Sequence, residues 1–188
     1  MNYLAHALFS NNDPNLLIGN FIADHLRGND FQKYPQEIIT GIYLHRKIDT
    51  FTDNHESFKA SKRLFYDGYE RYSGILIDIY SDHFLAKNFD HYSQLSLKEF
   101  TETAYNTYSN NQHHLPQSSS NFLEYVIKNN IYNAYSSIEG IEQVLFHLSH
   151  RIKHGVMLNE SIALFKANEK ELESNFELLF KDAVTEFL

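Results

Sequence analysis

Residues 13–54 read DPNLLIGNFIADHLRGNDFQKYPQEIITGIYLHRKIDTFTDN. Asp13 is a suitable N-cap, Pro14 suits the first helical position, and apolar residues recur at helical spacing until Gly28. Pro35 then opens a second segment, in which isoleucines recur until the polar end of the stretch. The stretch therefore predicts two successive α-helices.

The rest of the chain also favours helices. Only seven glycines and three prolines interrupt 188 residues, and no run alternates apolar and polar residues as a strand would. Further helices are predicted over about 57–72 and 75–89, with a loop over 110–121. Three later helix starts have capping-box or near-capping-box spacing, at Ser96/Glu99, Ser136/Glu139 and Asn168/Glu171. We predict an all-α fold of seven or eight helices in a single domain, residues 1–188.

The composition excludes several function classes. The chain contains no cysteine, which rules out disulfides, thiolate zinc sites and a cysteine nucleophile. A formal net charge of −8 disfavours nonspecific binding to nucleic acid. No apolar run approaches the roughly 20 residues that span a bilayer, and the first residues lack the basic segment of a secretory signal. We expect a cytoplasmic protein that binds neither nucleic acid nor membrane.

Aspartate and histidine are concentrated in the first half of the chain. Nine of the ten aspartates and five histidines precede residue 91, whereas eleven of the fourteen glutamates follow residue 90. Aspartate is a poorer helix former than glutamate, because its short side chain competes for backbone hydrogen bonds. A helical region that prefers aspartate needs another reason for it, and oxygen and imidazole ligands around a divalent metal ion are one such reason.

Two pairs in this region have the spacing of one helical turn. His45 and Asp49 project from nearly one face of their helix, and an ordinary polar face with a local ion pair is the alternative interpretation. Asp78 and Asp82 share a face of a strongly apolar helix, with His83 adjacent. Burying both carboxylates there without a partner would be costly, and a metal ion or an arginine would offset that cost. A solvent-facing aspartate stripe is the alternative for this pair.

The second half contains a weaker histidine group. His147, His150 and His154 follow an i, i+3, i+7 spacing with Arg151 between them. The group has no carboxylate neighbour in sequence, which favours a polar helix face over a zinc site. The chain also lacks a P-loop, a dinucleotide fingerprint, a G-x-S-x-G elbow and an H-E-x-x-H motif.

Several short motifs of the first half occur in a specific order. They are Asn2-Tyr3-Leu4-Ala5-His6, then Gly19-Asn20-Phe21-Ile22-Ala23-Asp24 with Arg27-Gly28, then Gly41-Ile42 with His45-Arg46-Lys47-Ile48-Asp49, then Thr52-Asp53, and last Asp82-His83-Phe84-Leu85. Taken together, this set resembles the acyl carrier protein phosphodiesterases, also called ACP hydrolases. The resemblance covers residues 1–90 closely, and the second half matches in length and helical pattern, with Arg151 as a possible shared position.

The resemblance implies a fold, a reaction and a metal. The implied fold is an all-helical bundle related to HD-type metal phosphohydrolases, in which residues 1–90 form the active-site half and 91–188 complete the bundle. The implied reaction removes the 4′-phosphopantetheine group from holo-acyl carrier protein with Mn²⁺ or Mg²⁺ as cofactor. This chain has Asp82-His83 where the simple HD signature has histidine first.

On this resemblance, the candidate site residues have three roles. The candidate metal ligands are Asp24, His45, Asp49, Asp82 and His83. Asp53 or His6 is expected to act as a general base or to orient a ligand, and Arg46, with Arg27 as a second candidate, to stabilise the phosphoryl oxygens. Since carrier proteins are small and acidic, basic residues of the first half are expected to bind the partner, and these are Arg27, Lys47, Lys59, Lys62 and Arg63, with Arg71 in the same basic segment.

Two rival functions remain open. The same kind of metal site suits a phosphohydrolase that acts on a nucleotide or another small phosphoester. A helical binding protein is the other alternative, in which the His/Asp pairs are structural or bind a metal without catalysis.

Overall fold

The computed structural model describes residues 1–152 and 155–188. Within them the chain is helical and has no β-strand. The α-helices are α1 (Tyr3–Leu8), α2 (Pro14–Ile22), α3 (Gln36–Asn54), α4 (Glu56–Arg63), α5 (Tyr66–Tyr69), α6 (Ser73–Lys87), α7 (Leu97–Asn110), α8 (Gln117–Lys128), α9 (Ile131–Ala134), α10 (Ile138–Ser149) and α11 (Ile162–Phe187). Eight of these have eight or more residues, so the predicted all-α architecture is confirmed. His154 of the predicted histidine group lies outside the described residues.

Helices α2 and α3 pack unusually closely, because two glycines face each other at their crossing. A Cβ added to Gly19 would lie 2.1 Å from the carbonyl oxygen of Ile38, and one added to Gly41 would lie 2.5 Å from that of Leu16. Any larger side chain at either position would force the helices apart. This close crossing holds the end of α2 against the middle of α3, and both regions contribute to the site described below.

The predicted first and second helices are present with small differences. Asp13 caps α2 by accepting hydrogen bonds from the backbone of Asn15 and Leu16. The α-helix ends at Ile22 and continues as one 3₁₀ turn over Ala23–His25, earlier than the predicted end at Gly28.

The predicted third helix is broken in two. Helix α4 ends at Arg63, and the backbone of Gly68 then adopts φ +85°, a left-handed conformation that glycine reaches without steric cost. Of the predicted capping boxes, Ser96/Glu99 is formed, with both reciprocal hydrogen bonds. At the next start the cap is Ser137 rather than Ser136.

Two other boundary predictions were wrong. Asn168/Glu171 lies inside the long helix α11, and the predicted loop is shorter because α8 already begins at Gln117. In both cases the sequence contains more than one local signal for a helix start, and tertiary packing determines where the helix actually begins.

The core runs between α6 and α11 and extends to α7–α10. Tyr80 of α6 stacks on Phe165 of α11 with ring centroids 4.4 Å apart, and Phe84 and Phe176 continue the same layer. All four side chains are buried. In the described part of the chain, no helix has both the length and the apolarity that a membrane span requires.

Candidate metal centre and cavity

Three side chains converge at the wall of a cavity. His6 comes from α1, and His45 and Asp49 come from successive turns of α3. One ligand atom from each lies within 4.8 Å of the other two. The Nε2 of His6 lies 3.3 Å from Asp49 Oδ1, and the Nε2 of His45 lies 3.1 Å from Asp49 Oδ2. Nitrogen and oxygen donors that face one another at this separation can hold a divalent metal ion.

Asp24 adjoins this group through His45. It lies in the 3₁₀ turn after α2, and its Oδ1 is 3.0 Å from His45 Nε2. Both imidazoles are buried, while about half of each carboxylate side chain of Asp24 and Asp49 is exposed to the cavity or to solvent. Among the residues that the structure describes, neither carboxylate forms an ion pair with lysine or arginine, so the histidines are their ion-pair partners.

The charges of the group follow from this geometry. Burial disfavours the charged form of His45, but hydrogen bonds to Asp24 and Asp49 outweigh it and raise the pKa of His45 to about 9. Burial likewise opposes ionisation of Asp49, but the hydrogen bond from His45, together with the proximity of His6, holds its pKa below the usual range. Burial lowers the pKa of His6 despite its contact with Asp49. Without a metal ion, therefore, a proton on His45 supplies the positive charge between the two carboxylates.

Asn20 was not identified as a site residue from the sequence, although it lies at the centre of this arrangement. Its side-chain oxygen is 2.8 Å from Nδ1 of His6 and 3.0 Å from Nδ1 of His45. Its amide nitrogen donates to the carbonyl oxygen of His6 and to the hydroxyl of Ser10. The residue is 2% exposed. The available sequence signal was an asparagine inside the apolar run of residues 16–22, since a polar side chain that is buried with such a run requires partners.

The cavity beside the group has a volume of about 620 Å³. One part of its wall is polar and comes from α1, α3 and the turn after α2. The other part is largely apolar and comes from the second half of the chain, with Phe122 of α8, Ile131 of α9, and Val144 and Leu148 of α10. Tyr125 and Tyr135 add two hydroxyl groups to this wall.

Arg151 brings a positive charge to the cavity. It follows α10 and is the only arginine or lysine among the described residues that line the cavity. It also lies close enough to Tyr3 and Tyr125 to act on the pKa of both hydroxyls. In the sequence Arg151 was noted only as a possible shared position.

The structure does not bring Asp82 and His83 to the metal group. Asp82 is fully buried, and its carboxylate accepts hydrogen bonds from the backbone N–H groups of Asn2, Leu4 and Ala5, at the start of α1. A carboxylate at a helix N-terminus satisfies otherwise unpaired donors there. Burial nevertheless raises the pKa of Asp82 to about 7, so these backbone amides, rather than a metal ion or an arginine, offset part of the cost of burying it.

The neighbouring residues of α6 have similar structural contacts. Asp78 lines the cavity and forms an ion pair with the amino group of Met1. His83 is 2% exposed, and its Nδ1 donates a hydrogen bond to the carbonyl oxygen of Tyr135 at 2.7 Å. Its ring packs edge-on against Phe165. His83 therefore joins α6 to the residue that directly follows α9 and to α11.

The candidate catalytic residues are divided between the cavity and the surface. His6 belongs to the metal group itself rather than to a separate position. Asp53 is exposed and lines the cavity one turn beyond Asp49. Arg46 points away from the cavity, because its guanidinium group lies 4.9 Å from the ring of Phe31 on the outer surface of α3.

The candidate partner-binding residues lie outside the cavity wall. Lys47 lines a separate groove on the outer side of α3. On α4, Lys59 pairs with Glu56 and Lys62 lies over the ring of Phe58, while Arg63 is exposed near the end of the helix. Arg27 is exposed two residues after His25, which lines the cavity.

Comparison with known proteins identifies the family. The family model described as acyl carrier protein phosphodiesterase matches residues 1–183. The chain belongs to the acyl carrier protein phosphodiesterase family. Relatives named acyl carrier protein phosphodiesterase include one from Enterobacter sp. (strain 638), 32% identical over 180 residues, and one from Escherichia coli O6:H1, 31% identical over 180 residues. Each alignment covers 94% of this chain and 92% of the relative.

The family match extends well beyond the first half that carried the sequence resemblance. It includes α8–α10 and Arg151, which form the second part of the cavity wall. No solved structure gives a significant match to this member of the phosphodiesterase family. The expected relation to HD-type phosphohydrolases therefore stays a prediction.

Proposed function

We propose that this protein is a divalent-metal-dependent phosphodiesterase that hydrolyses holo-acyl carrier protein to apo-acyl carrier protein and 4′-phosphopantetheine. The observation that carries the proposal is the convergence of His6, His45 and Asp49 at the wall of a cavity, in a chain that belongs to a family named for this activity. A phosphodiester is anionic and repels nucleophiles, so its hydrolysis requires charge neutralisation and an activated water molecule.

The donor set fits a hard or borderline divalent cation. We assign His6, His45 and Asp49 as ligands, with Asp24 as the fourth. Two imidazoles and two carboxylates without a thiolate suit Mn²⁺, and Mg²⁺ as the second choice. Asp24 and Asp49 have no lysine or arginine ion-pair partner among the described residues, so a divalent cation would supply the positive charge that the two carboxylates lack. When bound, such an ion polarises a phosphoryl oxygen and lowers the pKa of a coordinated water molecule.

Two further side chains complete the chemistry. Asp53 is exposed to the cavity one turn after Asp49, where a carboxylate can accept the proton of an attacking water molecule. Arg151 lines the same cavity, and we propose that it neutralises the non-bridging oxygens of the phosphodiester. The water oxygen forms a bond to phosphorus as the phosphorus–oxygen bond to the carrier protein's serine breaks. The serine oxygen takes up one proton in place of the one that Asp53 accepts from the water, so that one water molecule is added across the bond.

The shape of the cavity favours the pantetheine arm as its occupant. The arm contains an apolar gem-dimethyl group, a hydroxyl and two amides, and it requires a wall that combines apolar surface with a few hydrogen-bonding groups. Helices α8–α10 supply this combination through their aliphatic side chains and through Tyr125 and Tyr135. In this orientation the phosphate lies at the metal group and the carrier protein remains outside.

The carrier protein then docks at the rim of the cavity. Arg27 is the predicted partner-binding residue closest in sequence to the cavity wall, and we propose that it meets the acidic surface of the carrier protein. Lys47, Lys59, Lys62 and Arg63 are candidates for a wider contact. Reversing the charge at Arg27 should raise KM for holo-acyl carrier protein and leave kcat nearly unchanged. Lys98, which is exposed on α7 and outside the cavity wall, is the matched control.

Mass spectrometry of holo-acyl carrier protein tests the proposed function. Incubation with the protein and Mn²⁺ should remove the mass of 4′-phosphopantetheine, EDTA should abolish the loss, and added Mn²⁺ should restore it. His6→Ala and Asp49→Ala should lower kcat/KM at least about 100-fold, because each removes a ligand. The exposed His113, which lies outside the cavity wall, supplies the control variant His113→Ala.

Each rival function predicts a different result. Hydrolysis of a nucleotide panel without release of phosphopantetheine would favour the small-phosphoester alternative. Tight metal binding without turnover of either substrate class would favour the binding protein.

A further inference from the structure

We propose that Asn20 is the positioning residue of the metal centre, and that its single carboxamide oxygen holds both His6 and His45 in the tautomer that carries hydrogen on Nδ1. The inference rests on the proposed metal-dependent function and adds a residue to it. Asn20 touches neither the cavity nor the proposed reacting atoms, so its effect passes through the two imidazoles.

The orientation of the Asn20 amide follows from its other contacts. The amide nitrogen lies 2.8 Å from the carbonyl oxygen of His6, which can only accept, and 3.2 Å from the hydroxyl of Ser10. That hydroxyl in turn donates to the same carbonyl. A flipped amide would place two oxygens against each other, so the nitrogen must face this side and the oxygen must face the imidazoles.

This orientation determines which ring nitrogens carry hydrogen. The amide oxygen is an acceptor, so both Nδ1 atoms must donate to it, at 2.8 Å from His6 and 3.0 Å from His45. In the neutral form each imidazole then has its lone pair on Nε2. The Nε2 atoms are the ones that face Asp49. The buried amide oxygen of Asn20 therefore leaves the metal-binding lone pairs of both Nε2 atoms directed toward the region beside Asp49.

The two rings are also held relative to each other. Their centroids lie 4.3 Å apart with an interplanar angle of 32°, although His6 and His45 come from different helices. Outer hydrogen-bond partners of ligating histidines typically contribute 10–100-fold to metal affinity. Since Asn20 serves both rings at once, we expect the loss in Asn20→Leu to lie toward the upper end of that range.

The test distinguishes the effect of the Asn20 amide oxygen on the two imidazoles from the effect of the hydrogen bonds that Asn20 and Ser10 make elsewhere. Asn20→Leu removes the acceptor at similar side-chain size, whereas Asn20→Asp retains an acceptor. Ser10→Ala is the matched control, because Ser10 is equally buried and bonds to Asn20 and to the His6 carbonyl without contact to either imidazole Nδ1.

The first readout is imidazole ¹⁵N NMR of the metal-free protein, which does not depend on catalysis. Wild type, Asn20→Asp and Ser10→Ala should show protonated Nδ1 for both His6 and His45. In Asn20→Leu the neutral His6 should move its proton to Nε2, which faces Asp49. The second readout is Mn²⁺ affinity by titration calorimetry, which should fall about 100-fold in Asn20→Leu and less than 10-fold in Ser10→Ala.

Retention of the His6 Nδ1–H signal in Asn20→Leu would overturn the inference, whereas His45, which is protonated on both ring nitrogens in the metal-free protein, keeps its Nδ1–H in every variant. If Asn20→Leu does not fold, loss of the His6 signal in Asn20→Asp would overturn the inference and its retention would support it. Because the NMR readout uses the metal-free protein, it decides the role of Asn20 even if holo-acyl carrier protein is not hydrolysed.

Discussion

Replacement of Gly19 by alanine should damage both the fold and the metal centre. In a helix interior this change normally stabilises a protein by about 0.5–1 kcal/mol, because alanine loses less conformational freedom than glycine. Here the added Cβ would lie 2.1 Å from the carbonyl oxygen of Ile38, whereas ordinary contact begins at 3.4 Å. The two helices must therefore separate by about 1 Å, and we expect a net loss of roughly 2–3 kcal/mol in unfolding free energy.

The same displacement reaches the site. Asn20 and Asp24 follow Gly19 on one side of the crossing, and His45 lies one turn after Gly41 on the other. A shift of about 1 Å in a catalytic group can reduce activity about 100-fold. Thermal unfolding should show a decrease in Tm of roughly 5–10 °C, and titration calorimetry should show weaker binding of Mn²⁺.

Gly74→Ala is the matched control for this prediction. Gly74 lies in the first turn of α6, and a Cβ added there would meet nothing within 4 Å. We expect its Tm and Mn²⁺ affinity to equal or exceed those of the wild type. If Gly19→Ala behaved like Gly74→Ala, the close helix crossing would not be what positions the site.

Four further predictions concern the charges and contacts of the site. Binding of Mn²⁺ at pH 7 should release about one proton, because His45 with a pKa of about 9 must lose its proton to become a ligand. Calorimetry in buffers of different ionisation enthalpy measures this release, and buffer-independent heats would contradict it. Because the folded pKa of His45 is raised above the unfolded value of 6.5, the metal-free protein should gain stability from this group below pH 6.5 and lose it as pH rises through about 9. The contribution of His45 to the unfolding free energy is at most about 3 kcal/mol. A Tm that does not fall between pH 6.5 and 9.5 would show that His45 makes no such contribution. Thr52→Val should raise Tm, because the buried Thr52 hydroxyl has no hydrogen-bond partner among the residues that the structure describes. A lower Tm would show that this hydroxyl is paired. His83→Ala should lower Tm, because it removes the hydrogen bond to Tyr135, but the variant should bind as many Mn²⁺ ions per protein as the wild type. Binding of one ion fewer would show that His83 is a metal ligand.

The fold class was readily predicted from the sequence, whereas the helix boundaries were not. Pro14, Pro35 and the Ser96/Glu99 capping box act locally, and each gave a helix start close to the observed one. Asn168/Glu171 has similar local spacing, yet it lies inside α11. The apolar side chains of this long helix pack along the core and extend it through a local start signal.

The candidate site was predictable where its residues share one helix. The spacing of His45 and Asp49 on α3 is a property of the helix itself, so it was visible in the sequence. The spacing of Asp78 and Asp82 is identical, but their partners are groups at the start of the chain. Periodicity defines a helix face and does not identify what packs against it. Asp82 therefore resembled a ligand in sequence while it caps α1 in the structure.

The shared role of Asn20 was not accessible from the sequence. It depends on α2 packing closely enough against both α1 and α3 for one amide oxygen to reach the rings of His6 and His45, which are 39 residues apart in sequence. Arg151 is a comparable case, because the path of the chain after α10 brings it to a cavity whose metal group lies in the first half.

Anomalous diffraction from crystals grown with Mn²⁺ would locate the ion and identify its ligands. We expect a manganese peak bonded to Nε2 of His6, Nε2 of His45 and a carboxylate oxygen of Asp49, with Asp24 at the same ion. The peak should be absent in the Asp49→Ala variant. The proposed ligand set would be contradicted by a manganese peak at Asp78, Asp82 or His83. It would also be contradicted if the protein were fully loaded with metal while His6 and His45 bound none.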